Sequence, residues 1–507
     1  MKVGIDLGTS YSLVARMGPN GQAVLMPDYS EQESFHTPSA VYISPEGAFV
    51  GRAAESLLEQ RPEIAGNVIR FFKRSLGKKE PIWLDGKNNA WYPEAIAALV
   101  LRKLKFDAES SVADKVDGAV ITVPAHFNDL QRQAVRHAAM LADMPLLSIV
   151  DEPVAAALHY GISHNQNDRI MLAYDFGGGT FDATVMTLNK GGIQVLSANG
   201  VTELGGKEVD EKIMEMLFSQ FEVVTGRQIQ LTGRIPFDAR RAAEDIKIEL
   251  SLPGHKLVAR NVLLGDEYFE FVITRDEFSR TIAGLLDRTM DETLKCVRDA
   301  SLSPSAIDTV LLVGGSSMLP QVEERIRKVF AGKQEILFYE PSKAVALGAA
   351  ISAAQASGDA KLYDLPETMR GVSAYSVGVR TLDPRSGRLL IDTLIKKNSS
   401  LPVIVRKRYY TARADQERIL LEIMQYRNGE EPTSLGQLIV GPLASPRLNY
   451  SVDVTLENRE DGTVAVEAFD ADTNVALKSE FSRDDNKALA KLASQRELVR
   501  STVINAV

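Results

Sequence analysis

Two segments of the chain share an arrangement that is suited to phosphate and magnesium chemistry. Residues 4–10 and 173–182 each read as a hydrophobic strand that ends in an aspartate, then a glycine-containing turn, then a hydroxyl residue. The backbone N–H groups of a turn without side chains can approach an anion closely, and a hydroxyl adds another donor. A carboxylate beside such a turn is suited to hydrated Mg²⁺, which keeps most of its waters. Two such units facing each other would hold a nucleotide polyphosphate from both sides, which indicates phosphoryl transfer.

The composition narrows the classes of function. At 507 residues the chain is too long for one ordinary core, so two or more domains are expected. The net charge of −9 argues against a nucleic-acid partner. Cys296 is the single cysteine, which excludes an intramolecular disulfide and fits a reducing compartment. For this cysteine, a small buried residue on a helix is the favoured interpretation.

Targeting and membrane signals are missing from the sequence. No apolar run is long enough to span a bilayer, so no membrane association is expected. The first phosphate turn begins at Gly4, which leaves no room for a cleavable targeting peptide. Together these observations predict a cytoplasmic protein.

Hydrophobic periodicity divides the chain into four segments. Residues 1–357 alternate short strands with helical stretches, as in α/β architecture. A polar break at 358–371 reads as a linker. Residues 372–484 change to an alternation of period two, which is typical of an all-β domain. The remaining residues, 485–507, have room for one short helix.

Capping residues predict some helix boundaries within the α/β segment. Asn128 or Asp129 is expected to cap a helix that runs to Asp143. Pro153 is expected at the start of the next helix, with Gly161 as its C-terminal cap.

Seven motifs in order carry a resemblance to a known family. They are IDLGTSYS at 5–12, FFKRSLG at 71–77, VPAHFND at 123–129, DEPVAAALHYG at 151–161, DFGGGTFD at 175–182, LGGKEVD at 204–210 and LLVGGSS at 311–317. In combination they closely resemble the seventy-kilodalton heat-shock chaperones of the DnaK type, on the actin-like ATPase fold. The resemblance implies an ATPase domain of duplicated ribonuclease-H-like halves, then a β-sandwich peptide-binding domain, with the helical lid truncated. No Walker A pattern competes with this reading.

The resemblance implies a catalytic and metal-binding set. Asp6 and Asp175 would hold Mg²⁺ through its waters. Lys73 would reach the γ-phosphate as a cation that stabilises the charge developing in transfer. Glu152 and Asp182 would help to orient the attacking water or the metal shell, and Thr180 completes the catalytic set. Taken singly, Asp6 reads as a turn carboxylate, Lys73 as a surface lysine and Glu152 as an acid at a helix start.

The resemblance also implies where ATP or ADP binds. The phosphates would contact both turns and a third glycine pair: Gly8, Thr9, Ser10 and Tyr11, then Gly177, Gly178 and Gly179, then Gly205 and Gly206. The adenosine side would combine one helix face with a strand–glycine turn: Glu244, Lys247 and Ser251 with Gly314, Gly315 and Ser316. The spacing from 244 to 247 to 251 places those three on one face of a helix.

Three departures from the family pattern bear on function. Ile248 and Met318 stand where the family clamps adenine between two arginines, so weaker ATP affinity or looser base selectivity is expected. Ser148 replaces the arginine offered to J-domain partners, and His126 replaces a tyrosine, so a J-domain partner is left open. The linker carries a proline and two charges at 365–370, so its docking would bury less apolar area.

The resemblance places the peptide groove in the β domain. The matching positions are Val379, Leu382, Tyr409, Ala412 and Ile419. Each taken alone reads as sandwich core. An extended peptide there would use main-chain hydrogen bonds and an apolar pocket. With a truncated lid, the protein is expected to hold its peptides only briefly.

The leading hypothesis is an ATP-dependent chaperone of protein folding and the stress response, closest to the short HscC-like members. It would hydrolyse Mg-ATP, bind exposed hydrophobic peptide segments and use a nucleotide-exchange factor. A second hypothesis is a nucleotide-binding regulatory or adaptor protein with weak ATPase cycling. A third is a small-molecule kinase of the same superfold, which the β domain and Lys73 argue against. A filament-forming actin relative would also lack the β domain.

Overall fold

A computed structural model provides the fold of the chain. It describes residues 1–30, 34–164, 168–189, 192–232, 234–332, 334–358, 368–382, 388–427, 429–443, 446–477, 479–482 and 485–505.

The first part of the chain forms a mixed sheet with helices around it. Strands β1 to β11 are Lys2–Asp6, Tyr11–Met17, Ala23–Met26, Thr37–Pro38, Val41–Ser44, Gly47–Val50, Val68–Ile69, Trp83–Leu84, Ala90–Trp91, Gly118–Val123 and Leu146–Asp151. Helices α1 to α4 are Arg52–Gln60, Pro93–Val112, Asp129–Leu141 and Glu152–His164, and short 3₁₀ helices are Pro62–Asn67 and Phe72–Ser75. The main sheet has the order β11-β10-β1-β2-β3, with β4 beside β2.

The second part repeats this plan. Strands β12 to β18 are Arg169–Phe176, Phe181–Asn189, Gly192–Val201, Leu257–Leu264, Glu267–Thr274, Thr309–Val313 and Glu335–Leu337. Helices α5 to α9 are Gly206–Thr225, Ile235–Ser251, Arg275–Asp299, Pro320–Val329 and Ala344–Ala356, and short 3₁₀ helices are Pro304–Ala306 and Gly315–Met318. The sheet order is β18-β17-β12-β13-β14, followed by an added edge strand.

The two main sheets follow the same rule of pairing. In each, a first strand makes an antiparallel hairpin with the next strand and lies parallel to a later strand: β1 with β2 and β10, and β12 with β13 and β17. Helices α4 and α9 pack against each other between them. Because β1 and β12 play the same role, Asp6 and Asp175 come to equivalent ends of the two sheets.

The third part is a β-sandwich. Strands β19 to β28 are Thr368–Arg370, Ser376–Leu382, Leu389–Ile395, Val403–Tyr410, Ile419–Tyr426, Thr433–Val440, Ser451–Asn458, Val464–Asp470, Ser479–Ser482 and Ile504–Asn505, and α10 is Asp485–Ser501. A sheet of order β21-β20-β23-β24-β27 faces a sheet of order β22-β25-β26. Buried side chains of both, such as Val379 and Val454, form one core. Apolar and polar residues alternate along these strands because one face of each sheet points into the shared core and the other points to solvent.

Two of the capping predictions can be compared with the structure. Asn128 is the N-cap of α3, and its side chain accepts from the Gln131 N–H at 2.9 Å in a capping box, as predicted. The C-cap prediction for Gly161 is wrong, because this residue lies inside α4. A Cβ atom at Gly161 would lie 3.1 Å from the Leu188 side chain. Its small size therefore serves helix–sheet packing rather than a helix end.

The end of the linker pairs with the second part of the chain. Residues 359–367 lie outside the described residues, which removes most of the 358–371 segment from comparison. Thr368–Arg370 forms β19 and extends the second sheet in parallel with β14, Met369 facing Ile193. Met369 also packs against a buried cluster of that part. Main-chain pairing with β14 therefore holds these three residues, and Met369 adds an apolar contact.

The described residues contain no helix that combines the length and apolarity needed to cross a membrane.

A buried ion cluster braces the segment beside the first glycine turn. Lys103 Nζ lies 2.7 Å from Asp28 Oδ1 and 2.6 Å from Asp107 Oδ1, and all three side chains are buried. Asp28 also accepts from Thr37 Oγ1 at 3.0 Å. Since β4 begins at Thr37 and pairs with β2 at Tyr11 and Ser12, the cluster fixes the wall of the turn.

Removing the cation of this cluster should destabilise the fold. We expect Lys103→Met to lower the free energy of unfolding by about 3–5 kcal/mol, because it leaves two buried carboxylates without their partner. Lys105→Met, two residues along the same helix, is the control and should change stability by less than about 1 kcal/mol. Urea unfolding measures both. Equal stability of the two variants would contradict a structural role for the cluster.

Candidate functional site

The two glycine turns face each other across a cavity of about 350 Å³. Most of the positions singled out from the sequence line it: Asp6, Gly8, Thr9, Ser10, Tyr11, Lys73, Glu152, Asp175, Gly177, Gly178, Thr180, Gly206, Glu244, Lys247, Ile248, Gly314, Gly315 and Ser316. Five do not line it: Gly179, Gly205, Asp182, Ser251 and Met318. This volume lies in the range of small-molecule and cofactor sites.

The turns interlock so closely that side chains are excluded between them. A Cβ atom on Gly178 would lie 2.3 Å from Ser10 Oγ, and one on Gly179 would lie 2.3 Å from Thr9 Cγ2. A third turn joins them from below, since the Gly206 N–H donates to Gly177 O at 2.9 Å. Gly179 and Gly205 are therefore structural partners of the turns. Their glycine character brings the backbone N–H groups of three segments together around one space.

A buried ion pair sits on the floor of the cavity. Lys73 Nζ lies 2.5 Å from Glu152 Oε1, and both side chains are almost completely buried. Lys73 belongs to the 3₁₀ helix Phe72–Ser75, which Phe71 starts in the left-handed conformation, with φ 56°. Glu152 begins α4 directly after β11. Two unrelated segments are thus held so that an ammonium and a carboxylate meet at the cavity.

The surrounding carboxylates set the charge state of this pair. Burial alone would lower the pKa of Lys73, but Glu152, Asp6 and Asp175 outweigh it, and the pKa lies above its ordinary value. Burial raises the pKa of Glu152 to about 7, against the lowering effect of Lys73. Burial and the neighbouring carboxylates also raise the pKa of Asp175 well above its ordinary value. The site therefore has more negative charge than one lysine can neutralise.

The chemistry of the donors fits a hydrated Mg²⁺ ion better than a metal bound wholly by protein. Asp6 and Asp175 offer one carboxylate from each sheet, and burial raises the pKa of Asp6 as well. Among the described residues no group of three or more His, Cys, Asp or Glu side chains is placed to hold a metal ion. Mg²⁺ takes one or two carboxylates and keeps several waters, so two aspartates would be sufficient ligands. A cation there would also relieve the excess negative charge.

Asp182 lies behind the cavity wall and is held by His126. The Asp182 Oδ1 atom accepts from the His126 N–H at 3.1 Å and lies 2.7 Å from His126 Nδ1. Its other oxygen, Oδ2, is buried and has no hydrogen-bond partner among the described residues. The far side of His126 meets the β-sandwich, because Arg427 Nη2 donates to His126 O at 3.0 Å. Asp182 is therefore two contacts away from the sandwich.

The other end of the cavity combines charged and apolar groups. Lys247 Nζ lies 2.7 Å from Asp210 Oδ1, which places its ammonium at the rim beside Glu244. Ile248 is 54 % exposed and forms part of the lining, whereas Met318 is 56 % exposed and does not. Ser251 donates its hydroxyl to Lys247 O at 2.7 Å. Glu244 and Lys247 therefore both line the cavity from one helix face, but the hydroxyl of Ser251 is bonded to the backbone of its own helix.

Comparison with protein-family models gives a match over nearly the whole chain. The model described as Hsp70 protein matches residues 2–500. The chain belongs to the Hsp70 family. Membership confirms the resemblance and supports, at the level of the family, an ATP-dependent chaperone that binds nucleotide with Mg²⁺, peptide clients and co-chaperones. The assignment to short HscC-like members stays a prediction.

The structure of this Hsp70-family chain adds lining residues that the motifs did not reveal. They are Leu13, His36, Ser39, Ala40, Glu55, Arg70, Phe71, Lys207, Asp210, Arg240, Val313, Pro341, Ser342 and Val345. Phe71, Lys207, Asp210 and Val313 fall within quoted motifs, so their neighbourhood was a usable signal. Ser39 donates to Gly8 O at 2.8 Å and supports the first turn. Its role depends on tertiary packing, for which the sequence had no local pattern.

The predicted peptide positions differ in their exposure in the part of this Hsp70-family chain that the structure describes. Val379 and Ile419 are buried in the sandwich core. Tyr409 is half-buried and donates its hydroxyl to Asp392 at 2.9 Å, and Ala412 is exposed in the following loop. Leu382 ends β20, and its side chain lies outside the described residues, as do residues 383–387 of the adjoining loop. The register of β20 with β23 brings the end of β20 and the loop 411–418 to the same end of the sandwich.

Without Mg²⁺ and nucleotide, stability should decrease as the pH rises from about 4.5 to about 7. The pKa of Glu152 rises from an ordinary 4.5 to about 7 on folding, so the folded protein retains a proton that the unfolded chain releases. We expect Glu152→Gln to lose less stability across this window, by on the order of 1–3 kcal/mol. Urea unfolding in EDTA at about pH 5 and about pH 8 measures the difference.

The control for this prediction is Glu46→Gln, at an exposed carboxylate of the same part of the chain. It should keep the pH dependence of the wild type. If Glu152→Gln also kept it, burial of the Glu152 carboxyl would not be the source of the effect.

Proposed function

We propose that this protein is an ATP-dependent chaperone that hydrolyses Mg-ATP in the cavity between its two glycine turns. The observation that carries the proposal is the buried Lys73–Glu152 pair, 2.5 Å apart, set between Asp6 and Asp175. An ion pair that only stabilised the fold would not need to line a cavity. Its position suits contact with the terminal phosphate of a nucleotide whose other phosphates rest on the turns.

The residues would share the reaction as follows. Asp6 and Asp175 would hold the hydrated Mg²⁺, which supplies charge neutralisation on the phosphate oxygens. The Lys73 ammonium would stabilise the charge that develops on the transferred phosphoryl group. Burial raises the pKa of Glu152 to about 7 against the lowering effect of Lys73, which suits this carboxylate to accept a proton from water. Thr180 lines the cavity and would orient that water, whereas Asp182 lies behind the wall and would act only through its neighbours.

The β-sandwich would bind extended hydrophobic segments of client proteins at the end that carries the start of β21 and the loop 411–418. Exposed apolar side chains there support this, including Leu389, Tyr410 and Leu420. Val379 and Ile419 would reach a peptide only if the sandwich opened, since both are buried. The proposal keeps the domain limits 1–357, 358–371, 372–484 and 485–507, the short HscC-like subtype with a truncated lid, and a cytoplasmic location.

Contacts between the two parts supply a route for coupling. Arg427 donates to His126 O at 3.0 Å and to Gly200 O at 3.3 Å, on either side of Asp182. Arg132 donates to Asp461 O at 3.1 Å. An exchange factor is part of the proposal. A J-domain partner stays open, because Ser148 is a half-buried residue of β11 where the family has arginine.

A nucleotide-binding regulatory protein with weak cycling is the second candidate. Two exposed apolar side chains favour it, Ile248 in the cavity lining and Met318 outside it, because neither is a cation for adenine. The complete set of Lys73, Glu152 and Asp175 at the phosphate end favours hydrolysis.

Single-turnover ATP hydrolysis tests the proposal. Lys73→Ala should slow hydrolysis by roughly 10²–10⁴-fold, because it removes the buried cation at the site of charge development. An excess of an apolar heptapeptide should accelerate the wild type. Lys78→Ala, at an exposed lysine five residues further on, is the control and should behave as the wild type.

The outcomes separate the two candidates. Hydrolysis that needs Lys73 but ignores peptide would favour the regulatory protein. Hydrolysis that is the same in Lys73→Ala and wild type would refute the proposed enzyme.

The apolar pair at the base end predicts weak discrimination of the base. We expect the double variant Ile248→Arg/Met318→Arg to bind ATP roughly 2- to 30-fold more tightly than the wild type, since cation–π contacts contribute about 0.5–2 kcal/mol. Titration calorimetry with ATP and GTP measures affinity and selectivity. Equal affinity for ATP in both proteins would show that Ile248 and Met318 are adequate clamps.

A further inference from the structure

The C-terminal segment 491–505 packs on the first part of the chain; we call it the C-terminal strap. Val499 is fully buried in the same core as Phe72 and the residues of α2. Gln495 accepts from the Tyr92 N–H at 3.3 Å and donates to Ala90 O at 2.8 Å. The described part of α10 therefore packs against α2 and α3.

Side chains of α2 and α3 are arranged to receive the strap. The Arg102 guanidinium donates to Val499 O and, at 3.0 Å, to Thr502 O, which are carbonyls at the end of α10. Asp143 follows α3 and forms ion pairs with two arginines of the strap, at 3.3 Å with Arg496 and 2.5 Å with Arg500. A cation near the last carbonyls of a helix is a stabilising cap. Polar side chains of the first part, Arg102 and Asp143, therefore bind the strap at specific positions.

Beyond α10 the strap becomes a strand. Ile504–Asn505 is β28, which pairs in parallel with β6 at Ala48 and Phe49, and the Ala48 N–H donates to Val503 O at 2.8 Å. Gly47 makes the approach possible. Its φ is +143°, and a Cβ atom there would lie 2.5 Å from Val503 O. The neighbouring strand thus has the one residue type that leaves room for the strap.

The sheet that the strap completes leads to the catalytic lysine. Its order is β28-β6-β5-β7. After β7 ends at Ile69, the chain passes through Phe71 directly into the 3₁₀ helix that carries Lys73. Val499 and Phe72 belong to one buried core, in which α2 packs against both α10 and the 3₁₀ helix that carries Lys73.

We propose that the C-terminal strap is a positioning element for hydrolysis: it fixes the β5–β7 sheet and thereby holds Lys73 in place. This rests on the proposed function. In this view the strap is a part of the ATPase unit that stays on it whether or not peptide is bound. Residues on the strap act on the reaction only through Lys73, so they are positioning residues.

Two pairs of matched variants of the full chain test the proposal. Val499→Asp introduces a charge into the core, while Val503→Asp changes a side chain that is 61 % exposed in the same strap. Gly47→Ala blocks the approach of Val503 O, while Gly66→Ala adds a methyl group in open space. Gly47→Ala and Gly66→Ala leave the apolar core unchanged, so they still test the proposal if Val499→Asp fails to fold. Each variant is also made in the Lys73→Ala background.

Two readouts are needed. Hydrogen exchange measured by mass spectrometry without nucleotide should increase over residues 47–50 and 68–76 in Val499→Asp and Gly47→Ala, and stay as in the wild type in both controls. The single-turnover rate of these two variants should fall roughly tenfold to a hundredfold at saturating ATP. In the Lys73→Ala background neither should reduce the rate further, because the group they position is gone.

Three results would overturn the positioning role. The first is unchanged exchange over 68–76 in both test variants. The second is faster exchange with an unchanged rate of hydrolysis, and the third is an equal fall in rate with and without Lys73. Failure of the proposed function is recognised separately, because the wild type itself would then show no hydrolysis that depends on Lys73.

Discussion

A buried ammonium among buried carboxylates is the constraint on which this structure depends. Removing Lys73 and Glu152 from water costs several kcal/mol each, and the cost is recovered only if both stay in close contact. Their atoms are 2.5 Å apart but come from segments 79 residues apart. Everything that positions the 3₁₀ helix and the start of α4 therefore acts on this contact. A small shift of either element would leave a charge buried without a partner.

The duplicated sheets meet this constraint from two sides. Equivalent strands deliver Asp6 and Asp175, and small residues bring the halves together. A Cβ atom on Gly348 of α9 would lie 1.7 Å from Ala155 O of α4, and one on Gly4 would lie 2.0 Å from Ala350 N. Such spacing leaves no room for larger side chains at the centre. The cavity is thus a consequence of two halves that can approach only as far as their backbones allow.

Local patterns in the sequence identified the two glycine turns and many of the residues that line the cavity between them. Asn128 could be recognised as a cap because its interaction with Gln131 is local. Gly161 could not be recognised, because its reason is a side chain on another element, Leu188. The same limit applies to Ser39, which supports the first turn through the fold alone. The family match covers residues 2–500, a span that includes all seven motifs.

The base end and the C-terminal segment were harder to predict for the same physical reason. Spacing placed Ser251 on the correct helix face, yet its hydroxyl bonds within the helix. One short helix was expected after residue 484, and α10 forms there, but no periodicity indicated that β28 would join β6. Strand pairing between residues so far apart in sequence depends on the whole fold, and only the positive φ of Gly47 makes it sterically possible.

The contact of Arg427 with His126 O has a thermodynamic consequence for the β-sandwich. His126 holds Asp182 on one side and the sandwich on the other, so a change at either contact alters the free energy of the other. Such linkage is reciprocal. If nucleotide changes the affinity of the two parts for each other by some factor, separation of the two parts changes the affinity for nucleotide by the same factor. A client that pulled the sandwich away would thereby change the affinity for the nucleotide, without touching the cavity.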